Sequence, residues 1–275
     1  MARLLAGRTP DGSPAFVAIR HQGPLIRSID LAVPPALSVV VPVKDEAENA
    51  VPLLQEIVAA LRGRVEFEVI FIDDGSTDGT AERLLAERPQ NPELRVLRHQ
   101  ANSGQSRGVR SGVIAARAPL IATLDGDGQN DPADIPNLLA EWRRQEGQAP
   151  QLGLIAGQRR KRQDNIVKRI SSRVGNGVRQ WLLSDDTRDT GCGLKLFSRD
   201  AFLALPYFDH IHRFLPALMQ REGFRVGHVD VNHRPRTRGV SKYGVFDRLA
   251  VSLSDLYGVL WLKRRARNPQ RVDEL

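Results

Sequence analysis

The chain has 275 residues, of which 41% are hydrophobic and 26% charged, enough for a substantial core in one large domain or two small ones. A single cysteine, Cys192, excludes an internal disulfide framework, and neither a secretory signal nor a run of about 18 apolar residues able to span a membrane is found. The net charge of +8 is unevenly placed: residues 1–140 hold 14 Lys and Arg against 18 Asp and Glu, residues 141–275 hold 26 against 14. The basic half expects an anionic partner, yet it has no helix-turn-helix, zinc-finger or aromatic RNA-stacking pattern. The expectation therefore moves from nucleic acid to a phosphate-bearing substrate near a membrane surface.

Residues 1–36 are rich in Pro and Gly and read as an amino-terminal extension of unknown role. Its short apolar stretches (Ala15 to Ile19, Leu25 to Val33) are compatible with a hairpin. From Leu37 strands alternate with helices. LSVVVPV is a β-branched run suited to a strand buried on both faces. Val51, Leu54, Val58 and Leu61 follow at helical spacing. FEVIFID is a second strand, with a helix around Thr80 to Glu87, and LRVLRH is a third, with a helix after Gly104. PLIATLD is a fourth, and its helix starts with Asp131 as N-cap and Pro132 in the first turn.

After residue 150 the pattern predicts a strand in GLIAGQR, a basic segment from Arg159 to Arg173, and a Gly-punctuated loop from Thr187 into a strand at Leu194 to Phe197. A helix is predicted over Ile211 to Glu222, a strand over Arg225 to Val231, and a helix over Phe246 to Leu262 leading into Lys263-Arg264-Arg265. The 14 residues from Leu249 to Leu262 are too few to span a bilayer but long enough to lie on one, and Trp261 with the basic residues beyond it suits the headgroup boundary. Packing on the protein's own core or on a partner subunit is the alternative.

Strand-helix alternation implies a parallel sheet with right-handed crossovers, and ligands in such sheets bind beyond the carboxyl ends of the strands. Three polar clusters stand at such ends: Lys44-Asp45-Glu46, Asp73-Asp74-Gly75-Ser76 and Asp125-Gly126-Asp127. In the last, two carboxylates flank one glycine and can both turn toward a divalent, oxygen-preferring cation. An acidic turn is the plain alternative.

LSVVVPVKDEAEN, IDDGSTDGT, LDGDGQNDP, GQR, RDTGCGLKLF and RTRGVSKYG, in this order over Leu37 to Leu262, together resemble the family-two inverting glycosyltransferases. The resemblance is to the polyprenyl-phosphate branch, which includes dolichol-phosphate mannose synthase and its bacterial relatives. It implies an α/β GT-A (Rossmann-like nucleotide-sugar-binding) fold with a mainly parallel central sheet, a nucleotide-sugar donor, Mg²⁺ or Mn²⁺, and a polyprenyl phosphate acceptor. It implies a catalytic domain over 37–245, with a nucleotide-sugar and metal half at 37–150 and an acceptor half at 151–245, and a membrane- or partner-contacting segment at 246–275. By position, Pro42, Glu46, Asp73 and Asp74 line the donor pocket, and Asp125, Asp127 and Gln129 surround metal and diphosphate. Arg159, Ser172, Arg173, Arg236, Ser241 and Lys242 gather the acceptor and donor phosphates, with Asp189 facing the reacting centre. Two positions depart from the pattern: Lys44 stands where the family usually has an aromatic residue, and Val240 where many members carry Asp or Glu.

On this resemblance the catalytic set is Asp127, Asp189 and Arg236. A cation at Asp125 and Asp127 would act as Lewis acid toward the departing diphosphate. A phosphate acceptor is already ionised at neutral pH, so no strong base is needed, and the six histidines offer no Ser/His/Asp arrangement. Asp189 then orients the acceptor or a neighbouring arginine, or caps the Gly191-Cys192-Gly193 turn. Of Asp73 and Asp74, one is expected to accept from the nucleotide and the other to cap the following helix. Gln129 is a weak ligand or a turn residue, Lys242 a phosphate ligand or the partner of an acid, and Cys192 a small loop residue. The implied reaction gives a β-linked polyprenyl-phosphate sugar at the cytoplasmic face of a membrane, with the protein held peripherally at the surface or by a membrane subunit. A family-two enzyme with a soluble or saccharide acceptor is the alternative, and a noncatalytic basic binding protein the more distant one.

Overall fold

The computed structural model describes residues 35–159, 183, 187, 189–235 and 245–267. Seven strands form one sheet in the order β3-β2-β1-β4-β6-β5-β7. These are β1 (Leu37–Val43), β2 (Phe67–Asp73), β3 (Leu94–Arg98), β4 (Leu120–Thr123), β5 (Leu152–Arg159), β6 (Lys195–Ser198) and β7 (Arg225–Val231). All neighbours are parallel except those of β6, which runs against both β4 and β5.

Every residue of β1 and β2 is buried, as continuous β-branched runs require when both sheet faces are covered. Alternation then divides the side chains: Val39 and Val41 enter the core on one face, Val40 the core on the other. The first face is covered by α1 (Ala50–Leu61) and α4 (Ile135–Gln145), which contribute Leu53, Leu54, Ile57, Leu138 and Trp142. Each such side chain, taken out of water, stabilises the fold by about 1.5–3 kcal/mol. The second face is covered by α3 (Gln105–Ala115), α5 (Arg199–Ala204) and α6 (Leu215–Arg221), with Val259 of α7 (Val245–Arg265) in the same core. The short helix α2 (Thr80–Ala86) connects β2 to β3.

The first four strands and their helices lie where hydrophobic periodicity places them. Asp131 caps the turn before α4, accepting from Ala133 N at 3.0 Å with Pro132 next in line. The predicted helix over Ile211 to Glu222 is a 3₁₀ turn (Ile211–Arg213) followed by α6, and α5 has no counterpart in the sequence pattern. Pro42 sits inside a central strand although it has no N–H to donate. The pairing of β1 with β4 ends at Val40, so one side of β1 is already open at Pro42. Among the described residues no helix is long and apolar enough to cross a membrane.

Candidate active site

Strands β1, β2, β4 and β5 finish at one edge of the sheet. Because β6 is reversed, its leading end lies at that same edge, and the loop from Asp189 to Leu194 arrives beside the end of β4. The β4–β6 register places Thr123 opposite Lys195. Two residues further along, Asp125 falls against Gly193, where an added Cβ would lie 2.3 Å from Asp125 Oδ2. A larger residue there would have to push the Asp125 carboxylate aside. Thr123 Oγ1 donates to Gly193 O at 2.9 Å, closing the seam. A similar limit holds at Gly126, whose Cβ would come within 2.6 Å of Val43 Cγ1, so the Asp-Gly-Asp loop packs on the end of β1.

Asp125 accepts from Gln105 Nε2 at 2.7 Å, and its own N–H donates to Asn130 Oδ1 at 3.0 Å. Burial and then the neighbouring Asp127 push its pKa up to about 6, against the pull of Lys195, Arg159 and Gln105. Lys195, only 4% exposed, donates from Nζ to the Cys192 carbonyl, and burial lowers its pKa. Arg159, at the end of β5, forms a two-pronged pair with Asp189: Nε to Oδ2 at 2.5 Å and Nη2 to Oδ1 at 2.7 Å. Both Asp189 oxygens thus hold an arginine, the geometry in which this carboxylate orients the guanidinium. A cleft of about 190 Å³ opens here, lined in part by Pro42, Gln105, Asp125, Cys192, Lys195 and His212.

The other two acidic strand ends are braced against each other. Asp45 N donates to Ser76 Oγ (2.8 Å), Glu46 N to Thr80 Oγ1 (3.0 Å) and Ala47 N to Asp78 Oδ2 (3.0 Å), while Asp45 Oδ1 accepts from Thr77 N (2.9 Å). Lys44 reaches across to Gly75 O at 2.7 Å. Asp45 takes a positive φ of 50°, the strained step at which the chain leaves β1. Glu46 accepts from Asn49 Nδ2 at 2.6 Å, at the start of α1.

Asp73 Oδ1 accepts from Ser76 N at 2.9 Å, and its Oδ2 lies 3.2 Å from Arg98 Nε. Asp74 accepts from Ser103 N and Gly104 N, each at 2.8 Å, and lies 2.7 Å from His99 Nδ1. Neither aspartate caps α2, whose N-cap is Gly79 in the left-handed conformation. The expectation of a side-chain cap is corrected: Asp73 is used by the turn that precedes the helix, and Asp74 by the turn before α3. The structure also corrects the absence of a Ser/His/Asp arrangement. His99 stands between Asp74 and Ser111 Oγ (2.9 Å from Nε2), an assembly invisible in sequence because it joins two strand ends to the middle of α3.

Gln129 is tied to the segment after β7: its carbonyl accepts from Arg234 N at 3.0 Å and its amide points to Arg234 O at 3.5 Å. Arg234 also bridges Asp131 (2.7 Å) and Glu56 (2.6 Å). Cys192 is buried with its thiol pKa pushed up by burial, the state of an inert packing residue. Gln105, Lys195 and His212 also line the cleft, although none of them stands among the site residues expected from the sequence. Lys195 stood inside the RDTGCGLKLF motif, whereas nothing local marks the other two. His212 has its pKa depressed to about 3, by burial first and then by Lys195, Arg213 and His210, and pairs with Ser106 Oγ at 2.7 Å. Ser172, Arg173, Arg236, Ser241 and Lys242 lie outside the described residues.

Asp125 and Asp127 suit a hard divalent cation, because the repulsion that raises the Asp125 pKa is what such an ion relieves. Among the described residues no three His, Cys, Asp or Glu gather as a metal cage. These two carboxylates would therefore leave coordination positions to water and phosphate oxygens, an arrangement Mg²⁺ favours.

An open, mostly parallel sheet with paired aspartates at the end of β4, faced by Lys195 of β6 and Arg159 of β5, is the arrangement of a glycosyltransferase of the GT-A class. Residues 38–205 match the family described as Glycosyl transferase family 2, and the chain belongs to that family. It is 35% identical over 240 residues to a dodecaprenyl-phosphate galacturonate synthase of Rhizobium johnstonii, covering 85% of this chain and 69% of that protein. It is 32% identical over 212 residues to an undecaprenyl-phosphate 4-deoxy-4-formamido-L-arabinose transferase of Edwardsiella ictaluri, covering 76% of this chain and 63% of the relative. The crystal structure of glucosyl-3-phosphoglycerate synthase from Mycobacterium tuberculosis, in complex with Mn²⁺, UDP and phosphoglyceric acid, superposes with a TM-score of 0.63 over 85% of this chain and 80% of that one. At 19% identity that likeness establishes a shared fold.

Proposed function

We propose that this chain transfers a sugar, with inversion, from a nucleotide-sugar donor to a polyprenyl phosphate, giving a β-linked lipid-phosphate sugar. One observation carries the reading: the Asp125–Asp127 pair lies within electrostatic reach of an arginine, Arg159, that Asp189 holds in a fixed fork. The pair takes the Nε and Nη2 donors and fixes the guanidinium plane, so a phosphate would meet this arginine through its Nη1 side. The named relatives, which make polyprenyl-phosphate sugars, support the same acceptor class.

The acceptor phosphate arrives as an anion, so its oxygen attacks the anomeric carbon with no proton to remove. The bond from that carbon to the diphosphate breaks as the new one forms on the opposite face. His212, its pKa depressed to about 3 by burial, is too weak a base to take a proton, and Asp189 is occupied with Arg159, so neither serves as a base. A bound Mg²⁺ or Mn²⁺ would supply Lewis-acid relief for the charge on the leaving diphosphate. Pro42, Glu46 and Asp73 belong to the nucleotide side, and Asp74 serves it through the loop that it holds. Arg236, Ser241, Lys242, Ser172 and Arg173 are assigned to phosphate on family resemblance, and the chain leading to Arg236 is docked on Gln129 through Arg234.

We place the reaction at the cytoplasmic face of a membrane, reached through the surface itself or a separate membrane subunit. On α7, Val259 is buried while Tyr257 is 74% and Trp261 53% exposed, with Arg265 5.8 Å from the Trp261 ring. Aromatic rings beside exposed arginines suit a headgroup layer. Incubating the protein with labelled nucleotide sugars and extracted membranes tests the proposal: label is expected in the organic phase and lost in Asp127→Ala. Label found solely in water-soluble product would replace the lipid acceptor with a soluble one.

A further inference from the structure

Gln105 is exposed at the first position of α3, where a side chain ordinarily has no fixed task. Here it donates to Asp125 Oδ1 at 2.7 Å, inside the cleft. Its backbone is held from behind. Asp74 takes the N–H groups of Ser103 and Gly104, the two residues before it, one on each carboxylate oxygen. Asp74 in turn is fixed by His99 Nδ1 at 2.7 Å, and His99 Nε2 meets Ser111 Oγ at 2.9 Å, back on α3. The whole set is satisfied with Nδ1 donating to Asp74 and the Ser111 hydroxyl donating to Nε2.

We propose that Gln105 is a positioning residue for Asp125, and that the Asp74–His99–Ser111 network keeps Gln105 in place. Asp125 is fenced by the Gly193 backbone, so its carboxylate plane has little room. Gln105 occupies Oδ1 and leaves Oδ2 for a cation. A carboxylate so held has already lost the rotational freedom that cation binding would otherwise cost, the service that outer partners give to metal ligands. Asp74 therefore acts at the cation through three links, β2 to the α3 start to Gln105 to Asp125. This role rests on the cation reading above.

The test is Mn²⁺ binding to the intact protein, followed by the electron spin resonance signal of free Mn²⁺, in wild type, Asp125→Asn, Gln105→Met and His99→Gln. Met matches Gln in length but cannot donate, and position 105 is exposed, so folding should persist. Wild type is expected to bind Mn²⁺ and Asp125→Asn to lose it. Gln105→Met should bind about tenfold more weakly, the lower end of losses for outer-shell partners, and His99→Gln a few-fold more weakly. Turnover of Gln105→Met should recover at high Mn²⁺ with the donor KM unchanged, a split that general loosening of the fold would not produce. If Gln105→Met binds Mn²⁺ like wild type while Asp125→Asn does not, the positioning role is wrong and the cation site stands. If wild type and Asp125→Asn bind alike, the cation reading falls and takes this role with it. A normal His99→Gln beside a weakened Gln105→Met overturns the network alone.

Discussion

Replacing Asp125 with Asn should make the metal-free protein more stable at neutral pH while abolishing transfer. The folded protein raises the Asp125 pKa from 3.8 to about 6, so it disfavours the ionised carboxylate. Each unit of displacement corresponds to about 1.4 kcal/mol, giving roughly 3 kcal/mol at most. Asp125 keeps some contact with solvent, which reduces the expected effect to about 1–2 kcal/mol. The sign follows from proton counts. Between pH 3.8 and 6 the folded state holds a proton at Asp125 that the unfolded chain has released, so stability falls as pH rises through that window and stays low above it. Asn removes both the penalty and this contribution to the pH slope. The assay is urea unfolding in chelator-treated buffer at pH 4, 5, 6 and 7.5, for wild type and Asp125→Asn. The difference should favour the mutant most at pH 7.5, and added Mn²⁺ should stabilise wild type alone. A mutant less stable than wild type at pH 7.5, or an unchanged slope, would refute the reasoning and mean that Lys195 and Arg159 already neutralise this carboxylate.

Asp189→Asn should leave the nucleotide-sugar KM near wild type but raise the lipid-phosphate KM about tenfold, because a neutral amide cannot hold the Arg159 fork; steady-state kinetics with each substrate varied in turn measures this. Gly193→Ala should cut turnover by roughly a hundredfold with little change in Tm, since the new methyl displaces Asp125 at a solvent-facing seam; thermal melts run alongside the activity assay separate the two effects. Changing Tyr257 and Trp261 together to Ser should reduce co-sedimentation with vesicles containing phosphatidylglycerol several-fold, while transfer to a detergent-dispersed acceptor persists. Unchanged sedimentation would move the α7 face from a lipid surface to a protein subunit.

Much of the nucleotide half is legible in the chain's local patterns. β1 announces itself as a β-branched run and β2 as a second buried strand, and the turn residues after them mark where the strands end. The Asp125-Gly126-Asp127 motif reads as a paired carboxylate with equal ease, because its chemistry is local. The jobs of the other acidic ends are not legible in this way. Asp74 looks like a nucleotide ligand in sequence, yet its oxygens are directed to Ser103 and Gly104 N–H groups some thirty residues away. Gln105 and His212 carry no local signal at all, since each gains its meaning from one partner across the cleft or the core: Asp125 for Gln105, Ser106 for His212.

By itself, the sequence determined the class of fold, the strand ends where a ligand would sit and the residue types available there. Periodicity and turn chemistry are properties of neighbouring residues, so they survive without a tertiary context. The reversal of β6 is different. Direction of a short strand is set by what it pairs with, and four residues from Lys195 to Ser198 carry no mark of it. That reversal alone brings Gly193, Lys195 and Asp189 to the edge where Asp125 and Arg159 stand, so the tertiary structure decided which charges meet.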